Sequence, residues 1–312
     1  MWNQTVAELR IESSAHKMST LCELFGKSRQ AYYQRKKYVY KEAVKEDILY
    51  KMVLKARQLL PKGGGRMLLD VIGPQLTGEL SLGRDAFFDF LRENDLLIRP
   101  KRGIRTTYSN HWLHKYTNLI KDIVPTQSHQ VWVSDITYIY TSEGYGFLSL
   151  ITDLYSRKII GWRLAPTLQA KYTLEALEMA LAQVPKGITG IIHHSDRGVQ
   201  YCCDEYIQKL KDNQMLISMT ENGDPRENAV AERVNGILKT EWLNTKTYKT
   251  RKDAENEIKR VIWIYNNIRP HSSISRKTPA VAHTTNETLS RCWKNYYKHK
   301  PAFKEYEEIL TL

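Results

Sequence analysis

The sequence predicts an α/β protein in which a domain with the element order βββαβαβα and a mixed five-stranded sheet follows an all-α region. Two observations predict this class. Before Pro125, apolar residues recur at helical spacing in runs that turns separate. After Pro125, residues 131–142 alternate and are rich in β-branched and aromatic residues, which is typical of a strand, and further strand-like runs follow after tight turns.

The first helical elements lie in residues 17–36, which predict a short helix, a turn at Gly26 and a second helix capped by Ser28. The apolar positions of the first helix fit one face. This arrangement is typical of a helix-turn-helix unit. Any small helical hairpin would give the same pattern, so both interpretations stay open.

The remaining N-terminal region predicts further helices. Residues 46–60 predict one helix, and residues 66–76 and 81–98 predict a second helix-turn-helix candidate with Ser81 as the N-cap. An alternation of short helices and turns of this kind is expected of a small DNA-binding unit.

Residues 99–110 predict an extended basic linker, because they contain four basic residues, one proline and no apolar periodicity. The basic residues are Arg99, Lys101, Arg102 and Arg105. Basic segments of this kind neutralise backbone phosphates. The four are therefore candidate DNA contacts, with a plain solvated linker as the alternative.

The second half of the chain predicts three strands joined by tight turns, followed by alternating helices and strands. The predicted strands are 131–142, 144–157, 158–168, 187–196 and 216–220. The predicted helices are 173–184, 203–214, 227–243 and 251–268. Two tight turns between the first three runs indicate an antiparallel meander.

The composition excludes several classes of protein. The chain has 312 residues, of which 42% are hydrophobic and 26% are charged, and these values exclude a fully disordered chain. No run approaches the ~18 apolar residues of a membrane span, and the polar N-terminus is unlike a secretory signal. Four scattered cysteines predict reduced thiols in the cytoplasm.

The charge is unevenly distributed. Residues 1–125 contain 22 of the 47 basic residues and 13 of the 34 acidic ones, which gives them a net charge of +9. The rest of the chain contains 25 basic and 21 acidic residues, a net charge of +4. A basic front half joined to a more balanced back half indicates a nucleic-acid-binding unit attached to another domain.

Three carboxylates stand out by their positions. Asp135 lies inside the first strand among apolar neighbours, where an acid is costly unless it is paired or bound to a cation. Asp196 ends the fourth strand, where side chains project from a sheet edge toward a site. Glu232 lies on the helix predicted at 227–243.

Glu232 belongs to a polar stripe on that helix. Asn228, Glu232, Asn235 and Lys239 are spaced +4, +3 and +4, which places them along one face. The apolar residues fall on the opposite half, so we expect one side in the core and Glu232 with Lys239 on the other. An ordinary amphipathic helix would show the same pattern.

Taken together, these residues resemble a known signature. Asp135, Asp196 and Glu232, with 35 residues between the last two, are similar to the D,D-35-E motif of the retroviral-integrase and transposase superfamily. Residues 20–285 resemble the OrfB transposases of the bacterial insertion-sequence group called "IS three". The motifs that carry this resemblance are WVSDITYI, HHSDRGVQY, GDPRENAVAERVNGILKTE and YNNIRPHSSISRKTPA.

The resemblance implies a ribonuclease-H-like core and a DNA transposase, which cleaves insertion-sequence ends and joins them to target DNA. It implies that Asp135, Asp196 and Glu232 are the catalytic residues and the ligands of two Mg²⁺ ions, which Mn²⁺ can replace. No other cofactor is expected. Lys239, seven residues after the Glu, would contact a phosphate, and Asn228 and His194 are further candidate DNA contacts.

The resemblance also divides the chain. The expected parts are a helical DNA-binding region at 1–60, a second one with the basic linker at 61–110, the catalytic core at 126–285 and a tail at 286–312 of open role.

The expected partners follow from the reaction. Joining two ends of double-stranded DNA requires two active sites, so we expect a homodimer or higher oligomer on terminal inverted repeats and target DNA. An upstream OrfA product, as a fusion, is a further candidate partner, and no membrane is expected. A bacterial cytoplasmic location at the nucleoid follows. A non-catalytic DNA-binding regulator of transposition and a ribonuclease-H-type nuclease remain as alternatives.

Overall fold

A computed structural model describes residues 2–12, 16–98, 116–221, 225–290 and 292 of the chain. Within these residues an all-α N-terminal region precedes a mixed α/β domain, so the predicted fold class is confirmed. In the described part of the chain, no helix combines the length and the apolar character needed to cross a membrane.

The described part of the N-terminal region contains five α-helices. They are α1 (Trp2–Glu12), α2 (Met18–Glu23), α3 (Arg29–Leu59), α4 (Gly65–Ile72) and α5 (Arg84–Glu93). The turn between α2 and α3 is the predicted one: Gly26 has a φ of +64°, and the Ser28 side chain accepts a hydrogen bond from the Ala31 N–H at 3.1 Å. The second half of α3 packs on α4 and α5 through an apolar cluster that includes Val53, Leu68 and Phe87.

Two helix predictions in this region are wrong. The second helix of the first helix-turn-helix candidate and the helix predicted at 46–60 are one continuous helix, α3, because no glycine or proline interrupts residues 29–59. The last helix, α5, begins after Gly83 instead of Ser81 and ends at Glu93. It ends there because Asp95 adopts a left-handed φ of 54°, and the Leu96 N–H returns to the Leu91 carbonyl.

The α/β domain is built on one sheet. Its strands are β1 (Val131–Thr141), β2 (Gly144–Asp153), β3 (Ile159–Ala165), β4 (Ile192–Ser195) and β5 (Leu216–Met219). Their order is β3-β2-β1-β4-β5; the first three form the predicted antiparallel meander, whereas β4 and β5 run parallel to β1. The mixed five-stranded sheet of the ribonuclease-H-like class is therefore confirmed.

Helices cover both faces of the sheet. They are α6 (Ala170–Leu181), α7 (Val199–Cys202), α8 (Asp204–Asp212), α9 (Ala229–Glu241), α10 (Arg251–Asn267) and α11 (Pro279–His283). One face packs on α6 and α8 and buries Trp132; the other packs on α9 and α10 and buries Ile139. Gly161 permits the close approach of α6, since a Cβ there would lie 2.1 Å from the Ala176 carbonyl oxygen.

Candidate active site

The centre of the sheet places Asp135 beside Asp196. The strands β1 and β4 are parallel neighbours, and their last paired residues are Ser134 and Ser195. Each of these serines directly precedes one of the two acids. Asp135 therefore lies inside β1, level with the point where β4 ends, and this register brings two acids that are distant in sequence close together.

Asp135 is a partly buried carboxylate in an unfavourable electrostatic environment. Burial raises its pKa to about 7, with a further contribution from the charge of Asp196 and a smaller one from Glu232. Two hydrogen bonds act in the opposite direction: the Asn235 amide donates to Oδ2 at 2.7 Å, and the Ile136 N–H donates to Oδ1 at 2.9 Å. The three predicted carboxylates therefore influence one another electrostatically.

Helix α9 is held against β1 by its polar stripe. The Asn228 side chain, which is buried, donates to the Ser134 carbonyl at 3.0 Å, and buried Asn235 donates to Asp135. Val234 and Ile237 enter the apolar core as expected. Two members of the stripe, Asn228 and Asn235, are therefore buried contacts with β1 and not part of a solvated face.

Glu232 and Lys239 occupy different environments on α9. Glu232 is exposed in the first turn. Lys239 is half-buried: its Nζ donates to Thr137 Oγ1 at 3.2 Å and lies 4.1 Å from the centre of the Tyr138 ring. Burial lowers the pKa of Lys239, while the charge of Asp135 acts in the opposite direction. The lysine is therefore positioned along the same strand as Asp135.

A tight turn orients Asp196. The Gly198 N–H donates to Asp196 Oδ1 at 3.0 Å. A Cβ on Gly198 would lie 3.0 Å from that oxygen and 2.9 Å from Gln200 Oε1, so a side chain at this position would crowd the carboxylate. The short α7 follows, and its buried Tyr201 receives a hydrogen bond from Ser134 Oγ at 3.0 Å.

The two histidines of β4 are both enclosed. His193 is hydrogen-bonded to Tyr206 at 2.9 Å, and His194 to Ser218 at 2.8 Å. Burial lowers the pKa of His193 to about 3 and that of His194 to about 4, so both are neutral near pH 7. In this conformation His194 has no accessible surface to present to DNA.

The donor set tests whether a divalent metal fits. The described residues contain no group of three His, Cys, Asp or Glu side chains gathered closely enough to hold a metal ion. The pair Asp135 and Asp196 nevertheless has the chemistry of a hard-cation site, because it brings carboxylate oxygens together and mutual repulsion contributes to the raised pKa of Asp135. A cation would relieve that repulsion.

The four predicted DNA contacts of the basic linker, Arg99, Lys101, Arg102 and Arg105, lie outside the described residues.

Four residues that shape the site were not predicted. Ser134 accepts a hydrogen bond from Asn228, and Thr137 and Tyr138 contact Lys239. These three lie within three residues of Asp135 in sequence. Tyr201, which accepts a hydrogen bond from Ser134, carries no local signal that places it beside β1.

Comparisons with known proteins identify the family of the chain. Two family models, each described as an integrase core domain, match residues 125–225 and 213–279. The chain is 34% identical over 266 residues to an uncharacterized 31 kDa protein of insertion element IS600 from Shigella sonnei, covering 83% of this chain and 96% of that one.

Two named transposases match over shorter stretches. The chain is 35% identical to the transposase for IS629 from Shigella sonnei, over 60% of this chain and 62% of the relative. It is 34% identical to the transposase InsF for IS3A from Escherichia coli K12, over 58% of this chain and 64% of the relative. The chain thus spans nearly all of the IS600 protein and just under two thirds of these two.

Proposed function

The chain belongs to the insertion-sequence transposases with an integrase core domain, a family of polynucleotidyl transferases, and from this premise we propose that Asp135, Asp196 and Glu232 form its active site. The reaction is divalent-metal-dependent cleavage at the ends of an insertion sequence, followed by strand transfer into target DNA. Water is the nucleophile in cleavage, and a DNA 3′-hydroxyl is the nucleophile in transfer.

The register of β1 with β4 is the observation that carries this proposal. It sets Asp135, in the middle of β1, level with Asp196 just after the end of β4, and the contact between Asn235 and Asp135 docks the helix that carries Glu232 against the same strand. Like charges at a partly buried site repel each other. A cluster of repelling carboxylates is expected where the function requires these groups and a bound cation offsets their repulsion.

The chain's own residues orient the reacting groups. Asn235 donates to Oδ2 of Asp135 and fixes the direction of its carboxylate. Lys239, restrained by Thr137 and the Tyr138 ring, supplies a positive charge for a phosphate of the bound strand. The N–H of Gly198 and the turn that contains it hold Asp196 at the end of β4.

The three carboxylates would hold two Mg²⁺ ions, or Mn²⁺ ions in their place. When bound, the metal polarises the phosphodiester and stabilises both the attacking and the leaving oxygen. The charges of Asp196 and Glu232 both act on Asp135, which supports a role for Asp135 as a ligand of both ions. Glu232 is exposed, so its side chain is accessible to join the set when metal and DNA bind.

The remaining partners follow from the reaction. Two DNA ends require two active sites, so the active form is a homodimer or higher oligomer on terminal inverted repeats and target DNA, with a fused OrfA product as a further partner. The DNA substrate places the protein at the bacterial nucleoid. The helical region and the basic segment with Arg99, Lys101, Arg102 and Arg105 would contribute to DNA binding.

The proposal is tested by incubating the full chain with labelled duplexes that carry the element's terminal repeats, with Mg²⁺. We expect 3′-end cleavage and strand-transfer products that disappear in EDTA. Retarded but uncut DNA would identify a non-catalytic regulator. Degradation confined to RNA–DNA hybrids would identify a ribonuclease-H-type nuclease. Either of these two results would overturn the proposal.

A further inference from the structure

A cavity rich in arginine lies on the side of α9 away from the carboxylates. Its volume is about 720 Å³, and four segments line it: α4, α9, the loop from Arg269 to Arg276 and Arg157 in the turn between β2 and β3. The cavity therefore lies between the N-terminal helical region and the α/β domain. It includes the Arg269-Pro270-His271 sequence, which the carboxylate site does not use.

The charge of the lining is strongly unbalanced. The arginines that line the cavity are Arg66, Arg157, Arg233, Arg269 and Arg276, whereas Asp70 is the one acid among the lining residues. Arg276 forms an ion pair with Asp70, and buried Arg269 donates to both oxygens of Glu241, at 2.6 and 2.9 Å. Two of the five guanidinium groups are thus neutralised within the protein.

Two further arginines carry uncompensated charge toward the cavity. Arg66 of α4 and Arg233 of α9 form no ion pair with another described residue, and both are exposed side chains. Arg157 donates from Nε to Ser273 at 3.4 Å. A guanidinium group presents a planar fork of N–H donors that matches a phosphate, so side chains from two elements can converge on one anion.

His271 adds a neutral donor to this set. The residue is buried, its Nδ1 lies 2.9 Å from Ser273 Oγ, and its Nε2 has no hydrogen-bond partner among the described residues. Burial, together with the charges of Arg269, Arg157 and Arg233, lowers its pKa to about 3, so the ring is neutral near pH 7. A buried polar nitrogen without a partner costs free energy. In the tautomer in which Ser273 donates to Nδ1, Nε2 carries the proton and can donate to a ligand acceptor.

We propose that this cavity is a phosphate-binding site that takes a backbone phosphate of DNA between Arg66 and Arg233. A phosphate there would be contacted by the helical region and by α9 at once. Arg233 directly follows Glu232, so the contact would fix the helix that carries the proposed catalytic carboxylate. The inference rests on the proposed function only in taking DNA as the source of the phosphate.

The test measures DNA binding in EDTA, where the proposed chemistry cannot occur. The fluorescence anisotropy of a labelled duplex is measured while the full chain is added, at several salt concentrations. The variants compared with the wild type are Arg66→Gln, Arg233→Gln, Arg66→Lys and Arg233→Lys. The control is Lys259→Gln, which removes one charge from an exposed residue of α10 outside the cavity. Arg66 and Arg233 are exposed, so we expect their variants to fold like the wild type. Thermal melting of each variant checks this.

Each lost phosphate contact should reduce the slope of log K against log salt by about 0.9, which corresponds to about eightfold weaker binding at 0.1 M salt. We expect this loss in both Gln variants, with the slope retained in the Lys variants and in Lys259→Gln. Slopes of the Gln variants equal to those of Lys259→Gln would overturn the proposal. A Glu232→Gln variant separates the two ideas, because it should lose cleavage and keep the salt slope.

A second arm identifies the source of the phosphate. Inorganic phosphate should raise the melting temperature of the wild type and have a smaller effect on the double variant Arg66→Gln with Arg233→Gln, and duplex DNA should suppress the phosphate effect by competition. A phosphate effect without any change in DNA slope would show a small-anion site and overturn the assignment to DNA.

Discussion

Two acids in neighbouring strands of one sheet, Asp135 on β1 and Asp153 at the end of β2, have pKa values displaced in opposite directions. Burial raises the pKa of Asp135 to about 7, and Asp196 adds to the effect. Burial also acts to raise the pKa of Asp153, yet that pKa is lowered, because surrounding donors favour the charged form.

The difference lies in what faces each carboxylate. Asp153 accepts hydrogen bonds from the His129 N–H at 2.8 Å and from the N–H and hydroxyl of Ser156 at 2.8 and 2.7 Å, with His283 Nδ1 3.8 Å away. Asp135 has one side-chain donor, Asn235, and faces two further acids. A buried acid surrounded by donors stabilises the fold, whereas a buried acid facing other acids indicates a cation-dependent site.

The largest expected effect is on catalysis. Asp135→Asn should lower strand transfer by about 10³-fold or more, because the amide cannot replace a carboxylate as a metal ligand. A quantitative assay with labelled DNA ends measures this loss. The matched control is Asp122→Asn, an exposed acid that should retain wild-type activity.

The second-largest effect concerns the contribution of Asp153 to the stability of the fold. Asp153→Asn should lower the free energy of unfolding by about 2–3 kcal/mol at pH 7, because an amide cannot accept all of the donors that surround the charged group. Urea denaturation of the variant and the wild type measures the difference.

The pH dependence follows from the same group. The folded-state pKa of Asp153 lies below its unfolded value, so its contribution is fully present above about pH 4 and is lost as pH falls through the folded pKa. The wild type should therefore lose stability below about pH 4 more steeply than Asp153→Asn. Parallel pH profiles for the two proteins would contradict this account of Asp153.

A smaller effect is expected at Lys239. Lys239→Gln should reduce strand transfer by about tenfold, equivalent to ~1.4 kcal/mol, because the positive charge beside Thr137 and Asp135 is lost. Lys259→Gln on α10 is the charge-matched control in the same assay. Equal strand-transfer rates in the two variants would show that Lys239 does not contribute to the active site.

The smallest effect has the opposite sign to that of Asp153→Asn. Without metal, Asp196→Asn should stabilise the protein by ~1 kcal/mol, a rise of roughly 2–4 °C in melting temperature, because it removes repulsion on Asp135. Thermal melting in EDTA measures this. A fall in melting temperature would show that the Asp196 carboxylate stabilises the fold, as that of Asp153 does, and would contradict this account.

Much of the fold could be predicted from the sequence because its signals are local. The β-branched and aromatic composition of β1, the turn at Gly144 and the uninterrupted helix pattern of α10 each depend on adjacent residues. The continuity of α3 was not predictable in the same way, because none of its residues between Tyr32 and Leu49 is buried and so no apolar face marks the middle of the helix. The left-handed turn at Asp95, which ends α5, depends on a backbone conformation that the sequence does not encode locally.

The site was predictable only in part. Asp135, Asp196 and Glu232 were identified by spacing and resemblance, and the helix stripe included Asn235, but its inward orientation depends on how α9 docks on β1. Tyr201 and the arginine cavity depend on tertiary contacts between distant segments. Asp153 was not predicted because its partners are brought together by β2, the turn after it and the end of α11.

The central claim is that three carboxylates form one cation site, and Mn²⁺ binding tests it most directly. Electron paramagnetic resonance titrations of the DNA-bound chain would compare the wild type with Asp135→Asn, Asp196→Asn and Glu232→Gln, using Asp122→Asn as the control. We predict two bound ions in the wild type and the control, and weakened binding or a lower number of ions in each of the three variants. Wild-type affinity and ion number in any one of them would contradict the claim.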